Sequence, residues 1–293
     1  MHKPAGIIAL DLDGTLLNSA KELGPGNLAA LQKAAGAGWE IVPTTGRFYG
    51  GMPDVIRQLP FVHYAITING ACVEDLAGGR VLYSAEIPWQ QAVEIMTYLD
   101  TLPVIYDCYM SSAAWMTETL KARVDEVVED PRIRKMFHDL RQPVPELKAL
   151  IAEGQRDIQK TQFFTKDMEL RTHLLEEIPQ RFADIVATSS SPQNVEINNA
   201  RANKGEALLA LASELGVSRE KVLAFGDGLN DVTMIRAAGV GIAMENAEAA
   251  LLRDGTAGNI QALDQHTFFT GKAHSKYLIS EKINKIYKNR YFR

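Results

Sequence analysis

GIIALDLDGTLLNS, residues 6–19, carries four apolar residues from Ile7 to Leu10 straight into two aspartates two positions apart, Asp11 and Asp13. The apolar run reads as a buried strand. Strand side chains alternate faces, so Asp11 and Asp13 project to one side and Leu12 to the other. Gly14 permits an immediate turn, and the Thr15 hydroxyl can satisfy freed backbone groups. Three readings fit this stretch. It is a turn capped by its aspartates, or a calcium loop, or a site for metal-assisted phosphoryl transfer. For a calcium loop, Asp11, Asp13, Thr15 and Glu22 fall at ligand positions, but Leu16 stands where a glycine is needed and a strand precedes the loop. For phosphoryl transfer, one carboxylate attacks phosphorus and the other handles the leaving-group proton.

Working outward, the flanking segments alternate between strand and helix periods. PGNLAALQKAAGAG reads as a helix with Pro25 at its start and Gly36 and Gly38 at its end. WEIVPTTGR and YAITING read as strands, MPDVIRQL as a short helix, and CVEDLAGGRVLYS as a hairpin turning at Gly78-Gly79. NKGEALLALASELG and KVLAFGDGLNDVTMIRAAG restore the same pattern after residue 200. Strands separated by helices predict βαβ units in a doubly wound, Rossmann-like parallel sheet, with ligands at the carboxyl ends of the strands. The stretch between, 87–191, reads as an inserted smaller α/β domain, including one charged helical region from Glu118 to about Glu153. Residues 1–86 and 192–293 then form the core.

The phosphoryl-transfer reading predicts further acids, a hydroxyl and a cation at other strand ends. KVLAFGDGLND ends an apolar run on Asp227 and places Asn230 and Asp231 where a helix opens. Those two fit N-caps equally well, but Asp227 precedes the helix. Thr45 ends the second strand. Lys204 sits at a helix start, the unfavourable end for a cation unless anions converge on it.

Composition sets outer limits. The chain has 293 residues, 46% hydrophobic and 23% charged, with 31 basic against 36 acidic residues and a net charge of −5. That size suits one large or two medium domains, and the charge invites neither nucleic acid nor a membrane. Cys72 and Cys108 form no CxxC pair, and the six histidines have no metal-ligand spacing. No stretch approaches ~18 uncharged apolar residues, so a soluble cytoplasmic protein, a monomer or small homo-oligomer, is expected.

Together, DLDGT at Asp11–Thr15, TTGR at Thr44–Arg47, Lys204 in NKG, GDGLND at Gly226–Asp231 and the pair Asn69-Gly70 resemble the haloacid dehalogenase superfamily of phosphohydrolases, in its Cof-like group with an α/β cap. The resemblance covers residues 7–247 approximately. It implies that Asp11 attacks phosphorus to form an aspartyl-phosphate. Asp13 would protonate the leaving oxygen and later deprotonate the hydrolytic water. Mg²⁺ would be held by the Asp11 carboxylate, the Asp13 main-chain carbonyl, Asp227 and Asp231, the last directly or through water. Thr45 and Lys204 would bind phosphate oxygens, with Asn230 in support and Gly46, Arg47 and Asn69 close by. An acid must carry a proton, and neighbouring anions are expected to raise the Asp13 pKa accordingly.

Related ion pumps carry threonine where this chain has Asp13, so turnover to water or another alcohol is expected. The interval from Thr45 to Lys204 holds a cap, whereas that from Asp11 to Thr45 is too short for one. Mutases of the family usually carry the cap in the first interval, which favours hydrolysis of a small phosphorylated metabolite, a sugar phosphate first. A phosphotransferase or phosphomutase, and a binding protein that keeps the fold without turnover, are the alternatives. Tyr106, Tyr109, Trp115, Phe163 and Phe164 are candidates for substrate contact in the cap and equally for its core. The chain departs from the group after VGIAMENA. Asp254-Gly255 is a remnant of the usual closing segment, and residues 272–293, with seven Lys or Arg and one acid, allow a basic terminal helix.

Overall fold

The computed structural model describes residues 3–248. The expectations for Asp254-Gly255 and for the basic helix at 272–293 lie outside those residues. Two compact units emerge. Among the described residues, one comprises 3–47, 52–83 and 203–248; the other comprises Phe48–Gly51 and Ser84–Ala202.

The first unit begins with β1 (Gly6–Leu10), α1 (Pro25–Gly36), β2 (Trp39–Pro43), α2 (Asp54–Arg57) and β3 (Tyr64–Thr67), then β4 (Cys72–Asp75) and β5 (Arg80–Ser84). Every residue of β1 is buried, so the strand is apolar throughout rather than alternating, as a strand covered on both faces must be.

The second unit contains α3 (Trp89–Leu99), β6 (Ile105–Met110), β7 (Ala113–Thr117), α4 (Glu118–Lys121), α5 (Val124–Val127) and α6 (Pro131–Leu140). It continues with β8 (Arg141–Val144), α7 (Leu147–Gly154), β9 (Lys160–Phe164), α8 (Met168–Arg181), β10 (Ile185–Thr188) and β11 (Asn194–Asn199). The chain then returns through α9 (Lys204–Glu214), β12 (Val222–Gly226), α10 (Val232–Ala237) and β13 (Val240–Ala243).

The first unit holds a parallel sheet in the order β13-β12-β1-β2. A parallel bridge from Thr44 to Ile66 carries it towards β3. β3, β4 and β5 form a three-stranded sheet whose last link turns at Gly78-Gly79. Ile7, Ala9, Val42, Ala224, Leu208, Leu211, Met234 and Ile235 share one apolar cluster, which seats α9 and α10 on the sheet. This α/β architecture is the one the sequence predicts.

The register positions the site. Leu10 pairs with Pro43 on one side and Phe225 on the other, so β1, β2 and β12 finish at one level. Asp11, Thr44-Thr45 and Asp227 therefore leave the sheet side by side. The Asp11 N–H donates to the Phe225 carbonyl at 2.9 Å, and the Thr44 N–H to the Leu10 carbonyl at 2.8 Å.

The second unit is a six-stranded sheet in the order β10-β11-β9-β6-β7-β8. One face buries Cys108, Phe163, Val195 and Ile197 against Ile95, Met96, Leu174 and Ile178 of the helices. The other face carries buried charge. Arg141 donates from Nε to Asp107 Oδ2 at 2.6 Å and from Nη2 to the Tyr109 hydroxyl at 3.1 Å, and Lys160 donates to Glu196 at 3.0 Å. Tyr106 and Phe163 thus belong to the apolar core, and the Phe164 ring packs edge-on against Phe137, while Tyr109 lies on the charged face.

The charged helical region expected from Glu118 to about Glu153 consists of four helices, with the unexpected β8 before the last of them. Residues 141–144 pair in parallel with Ala114–Thr117 of β7, and sheet pairing overrides the local helical composition there. β11 was also hidden in the sequence, because Asn194, Glu196 and Asn198 alternate with Val195 and Ile197 yet are themselves buried.

Candidate active site

The residues singled out by sequence for catalysis, phosphate and metal binding all lie in the first unit, whereas the five aromatic candidates for substrate contact lie in the second. Asp11, Asp227 and Asp231 each place a carboxylate oxygen within 4.8 Å of the others. Lys204, the first residue of α9 and fully buried, donates to Asp11 Oδ1 at 2.6 Å and to Asp231 Oδ1 at 2.6 Å. A buried ammonium at the positive end of a helix is tolerable only with such partners. Burial disfavours its charge, but Asp11 and Asp231 outweigh burial and hold its pKa above the usual lysine value.

Asp231 is anchored on its other side as well. Its Oδ2 accepts the main-chain N–H groups of Asp227 and Gly228, both at 2.9 Å. Asp227 accepts from the Thr15 hydroxyl on Oδ1 at 2.7 Å and from the Asn246 amide on Oδ2 at 3.0 Å. Burial raises the Asp227 pKa, Asp231 adds to the rise, and the Thr15 bond opposes it. Thr15, expected to serve the local backbone, serves Asp227 instead.

Around the second strand end, the Thr45 hydroxyl accepts the Arg47 N–H at 3.2 Å, and the Asn69 N–H donates to the Thr45 carbonyl at 3.0 Å. Asn69 stands at φ 56°, a left-handed conformation that asparagine tolerates, and its Oδ1 accepts from Asn230 at 3.0 Å. A side chain at Gly46 would place Cβ 2.8 Å from that same Oδ1. Gly46, Asn69 and Asn230 thus form one brace beside Thr45.

Asp13 has a different environment. Arg47 grips its carboxylate with two bonds of 2.9 Å, from Nε to Oδ2 and from Nη2 to Oδ1, and Lys21 reaches Oδ1 at 2.7 Å. Lys21 is delivered by a turn in which Asn18 Oδ1 accepts the N–H groups of Ala20 and Glu22, both at 2.9 Å. Partial burial works to raise the Asp13 pKa, but the bonds from Arg47 and Lys21 overcome it, and the carboxyl lies below its ordinary value. Asp13 is thus shifted downward, opposite to the expected direction. Asp11 moves the opposite way: burial pushes it up to about 7, against the pull of Lys204 and with help from Asp231 and Asp227.

The donor set is all oxygen and strongly acidic, which fits a hard divalent cation such as Mg²⁺. Sequence reasoning missed Lys21 and Asn246. Lys21 was visible only as a charge in a loop, and Asn246 only as one residue of VGIAMENA.

Comparison with known proteins shows the family of the chain. A family model described as haloacid dehalogenase-like hydrolase matches residues 8–255. The chain is 30% identical over 258 residues to Phosphatase YwpJ of Bacillus subtilis (strain 168), spanning 82% of this chain and 90% of that protein. It is 27% identical over 248 residues to Pyridoxal phosphate phosphatase YbhA of Escherichia coli (strain K12), spanning 84% of this chain and 89% of that one. A solved haloacid dehalogenase-like hydrolase from B. subtilis superposes with a TM-score of 0.70 at 28% identity, over 84% of this chain and 91% of that chain.

Proposed function

We propose that this chain, which belongs to the haloacid dehalogenase-like hydrolases and is a phosphoric monoester hydrolase, releases phosphate from a small sugar phosphate through a phosphoryl group carried on Asp11. The observation that carries the reading is the buried Asp11 carboxylate, held by Lys204 at 2.6 Å and gathered with Asp227 and Asp231 within 4.8 Å. Asp11, Asp227, the Asp13 main-chain carbonyl and, directly or through water, Asp231 would hold Mg²⁺. When bound, that ion supplies positive charge that offsets repulsion between phosphate and carboxylates and favours ionised Asp11.

The remaining work falls to the chain's own groups. Thr45 donates its hydroxyl proton to a phosphate oxygen, while Lys204 stabilises the charge that develops on the others. Asp11 attacks phosphorus as the ester oxygen departs with a proton from Asp13. Asp13 then takes a proton from the water that cleaves the aspartyl-phosphate, and inorganic phosphate leaves. For Asp13 to arrive protonated, Arg47 and Lys21 must loosen their hold on it. An incoming phosphate is the competing anion that draws both cations off, since guanidinium binds phosphate as readily as carboxylate. The inserted unit, 84–202, is assigned the selection of the leaving group. A cytoplasmic protein with no nucleic-acid or membrane partner is the corresponding reading of its charge and hydropathy.

The test is phosphate release from a panel of sugar phosphates and other small phosphomonoesters with Mg²⁺, for wild type, Asp11→Asn and Asp13→Asn. Both variants should lose at least a hundred-fold in kcat. Unchanged release by Asp11→Asn removes the nucleophile assignment, and turnover confined to non-sugar esters removes the substrate assignment.

A further inference from the structure

The Asn246 amide sits where three separated segments of the chain meet. Its Nδ2 lies 3.0 Å from Asp227 Oδ2 and 3.1 Å from the Gly14 carbonyl. Both partners are pure acceptors, so only the nitrogen end of the amide can serve them. Gly14 belongs to the turn that carries Asp13, and Asp227 directly follows β12. One side-chain nitrogen therefore ties the turn after β1 to the end of β12, and does so through a carboxylate rather than beside it.

The approach is close. Gly14 is at φ +94°, and a Cβ there would fall 2.2 Å from Asp227 Oδ2, so only the bare backbone fits against that carboxylate. Asn246 is itself held in place. The Met244 N–H donates to the Gly226 carbonyl at 2.9 Å, and the Glu248 N–H donates to the Asp227 carbonyl at 2.9 Å. The segment is thus pinned to the 226–227 backbone on both sides of Asn246. Its exposed side chain contributes little to the core, so burial does not explain the arrangement.

We propose that Asn246 is a positioning residue for the cation site: it fixes the rotation of the Asp227 carboxylate and its distance from the Asp13 turn, and so sets metal affinity without touching the metal. With the Thr15 hydroxyl on Oδ1 and the Asn246 amide on Oδ2, the carboxylate plane is held at both oxygens. Each oxygen keeps a lone pair for a cation. The proposal rests on the metal-dependent reading of the site. Groups that orient a metal ligand commonly carry about 10- to 100-fold in affinity, and Thr15 remains in place, so the lower end applies here.

Mn²⁺ binding, followed by the electron paramagnetic resonance signal of the free ion, tests this without reference to turnover. Asn246→Ala should weaken Mn²⁺ binding about ten-fold, while the melting temperature in EDTA stays within about 2 °C of wild type. In an Asp227→Ala background the same substitution should change affinity less than about two-fold, because the carboxylate it orients is gone. Wild-type Mn²⁺ affinity in Asn246→Ala overturns the proposal alone. Equal losses in both backgrounds, or a melting temperature that falls in step with affinity, also overturn it, since Asn246 then acts as a general brace. Failure of the wild-type protein to bind Mn²⁺ overturns the metal reading and this proposal together.

Discussion

Replacing Asp11 by asparagine should stabilise the metal-free protein, by an amount that grows with pH. In the fold, burial lifts this carboxyl from 3.8 to about 7 despite its bond to Lys204. A carboxyl whose folded pKa is raised favours folding while protonated, and that advantage disappears as pH climbs through the interval. Between 3.8 and about 7 the native state holds a proton that the unfolded chain has released, so stability falls by roughly 1.4 kcal/mol per pH unit. At pH 8 the accumulated handicap is about 4 kcal/mol, at pH 5 about 1–2 kcal/mol, and below pH 4 it is close to nothing. Asparagine carries no such handicap, and its carbonyl oxygen still accepts from Lys204. The attraction of ionised Asp11 to Lys204 is already contained in the folded pKa of about 7, and effects of the amide that do not depend on pH cancel between two pH values. The change in the gap is therefore the cleaner quantity. Urea unfolding in EDTA at pH 5 and pH 8 should show the Asp11→Asn advantage increasing by about 2–3 kcal/mol between them. A gap that is flat across that range would refute the argument that Asp11 is buried at a desolvation cost. Saturating Mg²⁺ should reverse the order at pH 8, because the cation favours the ionised wild-type side chain.

Gly70→Ala should lose about 2 kcal/mol or more and at least ten-fold in kcat, read by urea unfolding and phosphate release. Gly70 lies at φ +94°, and its new Cβ would sit 2.2 Å from the Asn203 carbonyl oxygen and 2.7 Å from the Lys204 nitrogen, so wild-type turnover would contradict the placement of α9. Asp107→Ala should cost about 3–5 kcal/mol in urea unfolding, because it strands the buried Arg141 guanidinium now held at 2.6 Å. A loss below about 1 kcal/mol would mean that water reaches Arg141. Glu86→Gln should raise the melting temperature by about 2 °C at pH 7 and leave it unchanged at pH 4. Burial raises the Glu86 pKa, with Asp157 adding to the rise and Ser84 opposing it, so the native state is penalised only once the group ionises; equal melting temperatures at pH 7 would contradict this.

The parallel sheet and the cluster of acids were legible because both depend on short-range signals. Ile7–Leu10 and Val222–Phe225 are apolar runs of strand length, and each is followed at once by an aspartate or by glycine and aspartate. Residues at the carboxyl ends of neighbouring parallel strands must converge, so Asp11, Thr45 and Asp227 could be placed together without any knowledge of side-chain packing. Lys204 was harder, since a cation at a helix start is unfavourable by itself. The structure resolves this by closing two carboxylates on it. In the inserted unit legibility failed where burial and polarity coincide. The β11 residues Asn194, Glu196 and Asn198 look like a solvated face, and they are buried because Lys160, Ser190 and main-chain groups satisfy them.

Asp13 shows why a correct list of residues does not fix the state of each. From the sequence alone, an aspartate among other aspartates should be raised, since like charges nearby are the only certainty that spacing provides. Its actual partners come from elsewhere. Arg47 is 34 residues away and reaches Asp13 through the register of β1 with β2, which sets the two strand ends side by side. Lys21 is near in sequence, but it points at Asp13 only because the chain at Lys21 adopts φ 61° inside the turn closed by Asn18. Neither contact follows from periodicity. Asp11 and Asp13 share a strand end and differ by two positions, yet one is raised towards neutrality and the other held charged. Burial is the first reason for that split: it is the largest influence on Asp11, which sits among Asp231 and Asp227, and both acids add to the rise. The supply of cations is the second: Lys204 is shared between two acids, whereas Asp13 receives Arg47 and Lys21 together.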